Sequence, residues 1–335
     1  MKSQTVKKFI VRNLETLILP AAVLLIFTVL TGGRFLNTRT LLTTLKQSIT
    51  PAIICWGLML TFTVGNMNFS AGAVVLCSTI IGGNLMKLTD TGIVGLIFFT
   101  IAVALILSVI TGFLYNKMRI PSIVLTIGLT LIFESFPRIF FEGGVTIPGK
   151  LTYLATPPYD YVILAIVIVT FYLIYNNTAF GHNLRALGNN QDIANKVGLD
   201  PDKIKFACFV ISGAFLGVAA VLYGSAAGEV RNVGALGSMS IMMDAFMGVF
   251  LAMFLTRFCN LTFGVLVGTF TMKMITNGFV AMGLSATIRD IATGLMLFVL
   301  LAVSANQGAF EQAKLNKQNA QLANEKYQKK LSLNH

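Results

Sequence analysis

Ten apolar runs alternate with polar connections along the chain, at about 14–31, 48–64, 70–86, 93–115, 121–141, 159–176, 206–227, 239–256, 261–281 and 287–304. A helix needs about 20 apolar residues to cross the hydrocarbon of a bilayer. The pattern therefore predicts an all-α fold, a polytopic transmembrane helical bundle of about ten spans. Only Gly65-Asn66-Met67-Asn68-Phe69-Ser70-Ala71-Gly72 separates the second and third runs. Those two are read as separate spans or as broken, re-entrant segments, since non-helical backbone at membrane depth survives only when protein buries it or it lines a cavity. Thr31 to Gln47, with Arg34, Arg39 and Lys46, reads as a segment riding on the membrane surface. Glu134 to Tyr159 carries the turn signals GGVTIPG (143–149) and Pro157-Pro158; it either caps the helices or meets an extracytoplasmic partner. No internal repeat is visible. The chain divides into one transmembrane domain, 1–308, and a tail, 309–335, too polar to fold alone.

The longest polar interruption runs from Asn177 to Lys205. Its signals predict a helix over 191–197. Asn190 is placed as N-cap, Asp192 in the first turn, Lys196 in the last, and Gly198 where a left-handed residue ends a helix. Asp200-Pro201 reads as N-cap and first residue of the helix that follows. Two turns of helix are marginal in water, so the apolar face Ile193, Ala194 and Val197 calls for a packing partner.

Composition turns these runs into membrane spans. Hydrophobic residues make up 55% of the chain and charged ones 11%, against about 25% charged in soluble domains. The net charge of +12 matters less than its placement. With the N-terminus in the cytoplasm, Lys and Arg number 16 on cytoplasmic connections and 8 on outer ones. That bias predicts N-in, C-in, an even number of spans, and a cytoplasmic 177–205 loop. Basic residues spread over connections and ends exclude nucleic acid as a partner. The first run follows Lys7, Lys8 and Arg12, is long for a signal peptide and lacks a cleavage pattern, so it is read as a span. Cys55, Cys77, Cys208 and Cys259 lie far apart in apolar runs and read as packing residues rather than metal ligands or disulfides.

Candidate chemistry is sparse. The sequence contains no GxxxxGK[ST], HExxH or GxSxG, and its only histidines are His182 and His335. No enzymatic activity, metal or cofactor is expected. Inside the spans Asp244 and Lys273 stand out. Charge at mid-helix costs about 2.5–3.5 kcal/mol on insertion scales, so such groups pair or face a cavity. Their similar depths predict that they pair, as a helix–helix tie or as part of a solute pathway. Asn66 and Asn68 would offer amides to a neutral, hydroxyl-rich solute at a helix break, unless the break is only a turn. Glu134, Arg138 and Glu142 share a helix face and read as membrane-surface charges or a docking site. Gly213-xxx-Gly217 and Gly264-xxx-Gly268 predict close helix approach.

Gly181, Ala186, Leu187, Gly188, Asn190, Ala194, Gly198, Lys203, Ser212, Gly213 and Gly217 resemble, in order, the cytoplasmic loop and following helix of ABC-importer permeases of the ribose-type sugar family. IPSIVLTIGL (120–129), GGVTIPG and Asp244-Ala245 extend the resemblance over most of Asn37 to Ser304; nucleoside and branched-chain amino acid permeases share much of it. The resemblance implies a permease subunit of about ten spans in the cytoplasmic membrane of a bacterium. Its partners would be a second copy or paralogue, two cytoplasmic ATPase subunits that hydrolyse ATP, and an extracytoplasmic solute-binding protein. It implies that the loop helix couples to the ATPase, through Gly181, Ala186, Gly188, Asn190, Ile193, Ala194, Val197 and Gly198. The solute would be small and polar, a sugar first, with Asn66, Asn68, Asp244 and Lys273 on its path. Asn68 stands where the family commonly has an acidic residue, and Ala252-Met253-Phe254-Leu255-Thr256 where it has a glycine-rich stretch; these departures point to an altered solute or to the less active partner of a heteromeric pair. A rival class, the ion-coupled secondary transporter or channel, needs ionisable pathway residues, of which the spans hold few.

Overall fold

The structure, a computed structural model, describes residues 2–296 except 233, 235, 257, 258, 286, 289 and 290, together with 298, 299 and 302; side chains are described from Thr16 onward. Two compact units divide the chain, Met1–Gly283 and Leu284–His335. In the second, the described residues between 287 and 302 are helical, within the run expected at 287–304; Arg257, Arg289 and the tail at 309–335 lie outside the described residues.

The first unit is built from α1 (Lys2–Leu30), α2 (Thr38–Thr63), α3 (Ala71–Thr89), α4 (Gly92–Met118), α5 (Ser122–Phe141), β1 (Gly144–Thr146), a 3₁₀ turn (Gly149–Ala155), α6 (Tyr159–Tyr172) with a π turn to Asn177, α7 (Ala179–Asn189), α8 (Gln191–Lys196), α9 (Pro201–Ala227), β2 (Glu229–Arg231), α10 (Met239–Leu255) and α11 (Leu261–Ala281). Among the described residues, six helices are long and apolar enough to cross a membrane: α3, α4, α5, α6 with its π turn, α9 and α11; residues 16–30 of α1 and the whole of α10 are shorter apolar helices. Exposed apolar side chains, such as Val162, Ile166 and Val169 on α6 and Phe98, Ile106 and Phe113 on α4, form the surface that a bilayer covers.

The central helix α2 is not among the six. It is buried on all sides from Ser48 to Thr61 apart from Thr50, and its polar groups find protein partners rather than lipid. Trp56 Nε1 donates to the Thr262 carbonyl at 3.2 Å, which ties α2 to α11. The residues expected as a surface segment, Thr38 to Gln47, are instead the first turns of α2. Asn37 caps the helix by accepting from Arg39 N. Farther along, Asn277 Nδ2 donates to Thr44 Oγ1 at 2.9 Å and to Gln47 Oε1 at 2.8 Å, so the polar turn is held by a tertiary partner.

Helices α4 and α9 pack most closely. Gly213 and Gly217 lie against Ala104, Ser108 and Ile101, and a methyl on Gly217 would come within 2.8 Å of Ile101 Cα. Gly264 and Gly268 similarly let α11 approach Ala252 and Gly248 of α10. The four cysteines are buried and none forms a disulfide.

Between α2 and α3 the chain is non-helical, with turns at 64–65 and 69–70, and its polar side chains are buried: Asn66, Asn68 and Ser70 are each at most 5% exposed. Helix α5 satisfies its backbone. Met67 N donates to Ser122 Oγ at 3.2 Å and Phe69 N to Thr126 Oγ1 at 3.0 Å, while Thr130 Oγ1 donates to the Phe69 carbonyl at 3.2 Å. Ser122, Thr126 and Thr130 recur every four residues, so one face of α5 presents a hydroxyl stripe about 12 Å long to this non-helical connection. The hydroxyls thus satisfy the polar backbone of a buried connection between two helices.

One end of the unit carries the antiparallel pair β1–β2, with Val145 opposite Val230. The other carries α7 and α8. These are the sheet end and the loop end.

Candidate functional site

A cavity of about 1020 Å³ lies at the sheet end. Helix α2 supplies Thr43, Lys46, Gln47 and Thr50 from its first half and Ile54 just beyond, α9 supplies Tyr223 and Ser225, and α6 begins in its wall with Asp160. Asp244 of α10 and Lys273 of α11 face each other in the same wall; Lys273 Nζ donates to Asp244 Oδ2 at 2.6 Å. The expected pair therefore forms, and it lines the cavity. Thr43, Lys46, Thr156 and Ser240 are exposed at the mouth, whereas Asp160 and Ser225 are each 2% exposed within. No stretch of sequence marked Asp160 or Ser225, because only the tertiary convergence of α6 and α9 brings them here.

Asn66 and Asn68 are not brought to this cavity; they sit beyond the opposite end of α2. Asn66 Oδ1 accepts from Tyr115 Oη at 2.8 Å. Asn68 Oδ1 accepts from Ser70 N at 3.1 Å and Ser70 Oγ at 2.7 Å, closing the turn that opens α3. An aromatic cluster separates them from the cavity. Phe246, two residues past Asp244 on α10, meets Phe62 at 5.2 Å and Phe69 at 5.1 Å between ring centroids, in edge-to-face contacts. Phe250 joins Phe62 at 5.6 Å. The rings fill the interior on the loop side.

At the loop end the 177–205 segment is more ordered than its polarity suggests. Helix α7 was not expected. Thr178 caps it by accepting from Gly181 N, and Gly181, Leu184 and Leu187 form its buried face. Helix α8 matches expectation: Asn190 Oδ1 accepts from Ile193 N at 3.0 Å, and Gly198, at φ +86°, ends the helix. Leu199 N bonds to the Ala194 carbonyl and Gly198 N to that of Asn195, the paired closure of a Schellman motif. Asp200 Oδ1 then accepts from the backbone N–H groups of Asp202 and Lys203. The bond from Lys203 N, reinforced by the Lys203 ammonium, holds the Asp200 carboxyl below its ordinary value.

Glycines dock this segment. A Cβ on Gly181 would overlap the carbonyls of Ile174 and Tyr175, and one on Gly188 would overlap the carbonyl of Thr63 at the end of α2. Ala186 is exposed. Of the apolar face of α8, Ala194 is buried while Ile193 is 60% and Val197 71% exposed. Spaced by four, these two form a ridge pointing away from the protein.

Glu134 differs from expectation. It is buried rather than a surface charge. Its Oε1 accepts from Ser238 N at 2.8 Å and its Oε2 from Leu236 N at 3.0 Å, just ahead of α10, where a carboxylate also favours the helix dipole. Among the described residues no group of three His, Cys, Asp or Glu side chains could hold a metal ion.

An apolar-surfaced helical bundle with a cavity lined by hydroxyls and a charge pair at one end and an exposed apolar ridge at the other has the features a membrane permease needs. The family model described as branched-chain amino acid transport system / permease component matches residues 40–303. The chain belongs to that family, as a permease subunit of an ABC importer in the bacterial inner membrane. It is 25% identical over 260 residues to the autoinducer 2 import system permease protein LsrC of Yersinia pseudotuberculosis serotype O:1b, covering 74% of this chain and 72% of that one. It is 26% identical over 278 residues to the LsrC protein of Photorhabdus luminescens, covering 79% and 82%. No solved structure matches the chain.

Proposed function

We propose that this permease passes a small hydroxyl-bearing solute, a sugar or sugar-like molecule, from the cavity at the sheet end to the cytoplasm at the loop end. The observation that carries the reading is the span of α2, whose first half walls the cavity and whose last turn meets Gly188 of α7. The ends are about 30 Å apart at 1.5 Å rise per residue. In this reading about ten spans run N-in, C-in, the sheet end faces outward, and a solute-binding protein delivers there. Ile193 and Val197 insert into an ATPase subunit. A second permease copy or paralogue completes the translocation path, Asp244 and Lys273 lie on it, and Asn66 and Asn68 adjoin its closed inner part. The relatives are named for import of autoinducer 2, which favours the sugar-like class. The description of the family names branched-chain amino acids, which makes leucine the competing solute.

Ile193→Asp tests the coupling reading. Ile193 is 60% exposed, so a carboxylate there costs the fold little and places a charge in an apolar groove. The expected result is loss of ATPase association and of ATP-driven uptake, with membrane insertion unchanged. Uptake at the wild-type rate makes the loop a connector only. Uptake that persists without ATPase subunits and follows an ion gradient assigns the chain to the secondary transporters.

A further inference from the structure

We propose that Asp160, supported by Ser225, is the group in the cavity wall that recognises the solute, by accepting hydrogen bonds from its hydroxyls. The inference rests on the reading of the chain as a carrier of hydroxyl-bearing solutes. Asp160 stands in the first turn of α6 and is 2% exposed. Its Oδ1 accepts from Tyr161 N at 2.8 Å. Its Oδ2, also in the cavity-lining residue, is buried without a hydrogen-bond partner. Ser225, near the end of α9 in the same wall, is 2% exposed and its Oγ likewise has no partner.

A buried carboxylate oxygen without a donor is costly, and in native proteins such a group is filled by water or a ligand. The surrounding charges narrow the ligand. Asp244 and Lys273 satisfy each other at 2.6 Å, and Lys46 is exposed at the mouth. Apart from Gln47, the remaining polar groups of the wall are hydroxyls, among them Thr50, Thr152, Thr156, Tyr223 and Ser240. An ammonium on Asp160 would bring its own carboxylate into a wall whose inner cation is already taken. A neutral polyol brings only donors for Asp160 Oδ2 and an acceptor or donor for Ser225 Oγ. The volume admits a small sugar together with water.

Asp160→Asn is a clean perturbation, because the amide oxygen keeps the bond from Tyr161 N and only the unpartnered oxygen becomes a donor. The assay uses the complete importer in proteoliposomes with its ATPases and binding protein, and labelled autoinducer 2, D-ribose and L-leucine as probes. Uptake and ATP hydrolysis are read together. In the wild type a hydroxylated probe enters. In Asp160→Asn its uptake falls about ten- to a hundredfold while ATPase stimulation by the loaded binding protein is unchanged, as expected for loss of a hydrogen bond to a charged group. Ser225→Ala lowers uptake about threefold to tenfold, and Asp160→Glu restores part of the loss. Unchanged uptake in Asp160→Asn overturns the inference and leaves the substrate class standing. An equal fall in uptake and ATPase overturns it too, since Asp160 then only begins α6. Wild-type import of leucine and of neither hydroxylated probe overturns the substrate class and the inference with it.

Discussion

Removing the Lys273 ammonium is the sharpest perturbation of the cavity wall. At 2.6 Å the pair is in direct contact, and two unit charges about 4 Å apart attract by roughly 4 kcal/mol at an effective dielectric constant of about 20. Much of that is offset. Both ions give up hydration on entering the bundle, and the Asp244 side chain keeps 39% of its exposure against 18% for Lys273, so water in the cavity screens the contact. Interhelical hydrogen bonds in membrane bundles average about 0.6 kcal/mol and reach about 1.7, which places the net coupling here at about 1–2 kcal/mol. A double-mutant cycle measures it: Lys273→Met, Asp244→Asn and the double variant, unfolded by sodium dodecyl sulfate from mixed micelles and followed through Trp56, the single tryptophan. Lys273→Met should cost more than the coupling alone, because it strands the Asp244 carboxylate in the wall. The double variant should recover about 1 kcal/mol relative to the sum of the singles. Additivity within about 0.3 kcal/mol would show that α10 and α11 are held by packing alone, at Gly248, Ala252, Gly264 and Gly268. Normal stability and normal transport by Lys273→Met would remove the pair from both the fold and the pathway.

Two other consequences are open to direct measurement. Gly188→Ala drives a methyl into the Thr63 carbonyl, so α7 must lift from α2; overpacking of this kind costs about 1–3 kcal/mol, and ATP hydrolysis should be uncoupled from uptake, read as a higher ATP-to-solute ratio in proteoliposomes. Glu134→Ala leaves Leu236 N and Ser238 N without their carboxylate, at a cost of about 1–3 kcal/mol each where buried; hydrogen–deuterium exchange should rise at the start of α10 and not at α7, and unchanged exchange there refutes the capping role.

What was legible in the sequence was local. Asn190, Gly198 and Asp200-Pro201 each act on neighbours within five residues, so α8 and the start of α9 stand where their caps predict. Helix α7 carried equally local signals, with Thr178 as cap and Gly181, Leu184 and Leu187 three apart, but the two glycines and four polar residues among its eleven interrupt the apolar pattern and made it read as loop. Other features were set at long range. The first turns of α2 resembled a surface segment because the partner of Thr44 and Gln47 is Asn277, more than 200 residues away. Glu134 looked like a membrane-surface charge because its donors follow about a hundred residues later. The pairing of Asp244 with Lys273 is predictable because few intramembrane charges exist to pair, whereas Asp160 lies at a span edge and gains its meaning only where α6 and α9 meet in the cavity wall.

Helix α2 has one further property, mechanical in kind. Pro51 sits inside it, where it removes one backbone donor, yet the helix runs unbroken from Thr38 to Thr63. From Pro51 the arm to Thr63, which abuts Gly188, is about 18 Å long, and the arm to Thr43, at the cavity mouth, about 12 Å, at 1.5 Å per residue. Turned about Pro51 as a rigid lever, the helix would convert a push of about 3 Å at the loop end into a swing of about 2 Å at the mouth, in the opposite sense, by the ratio of the arms. One rod would then open one end as it narrows the other, and Pro51→Ala, which restores the missing donor and stiffens the rod, would pass on more of the same push.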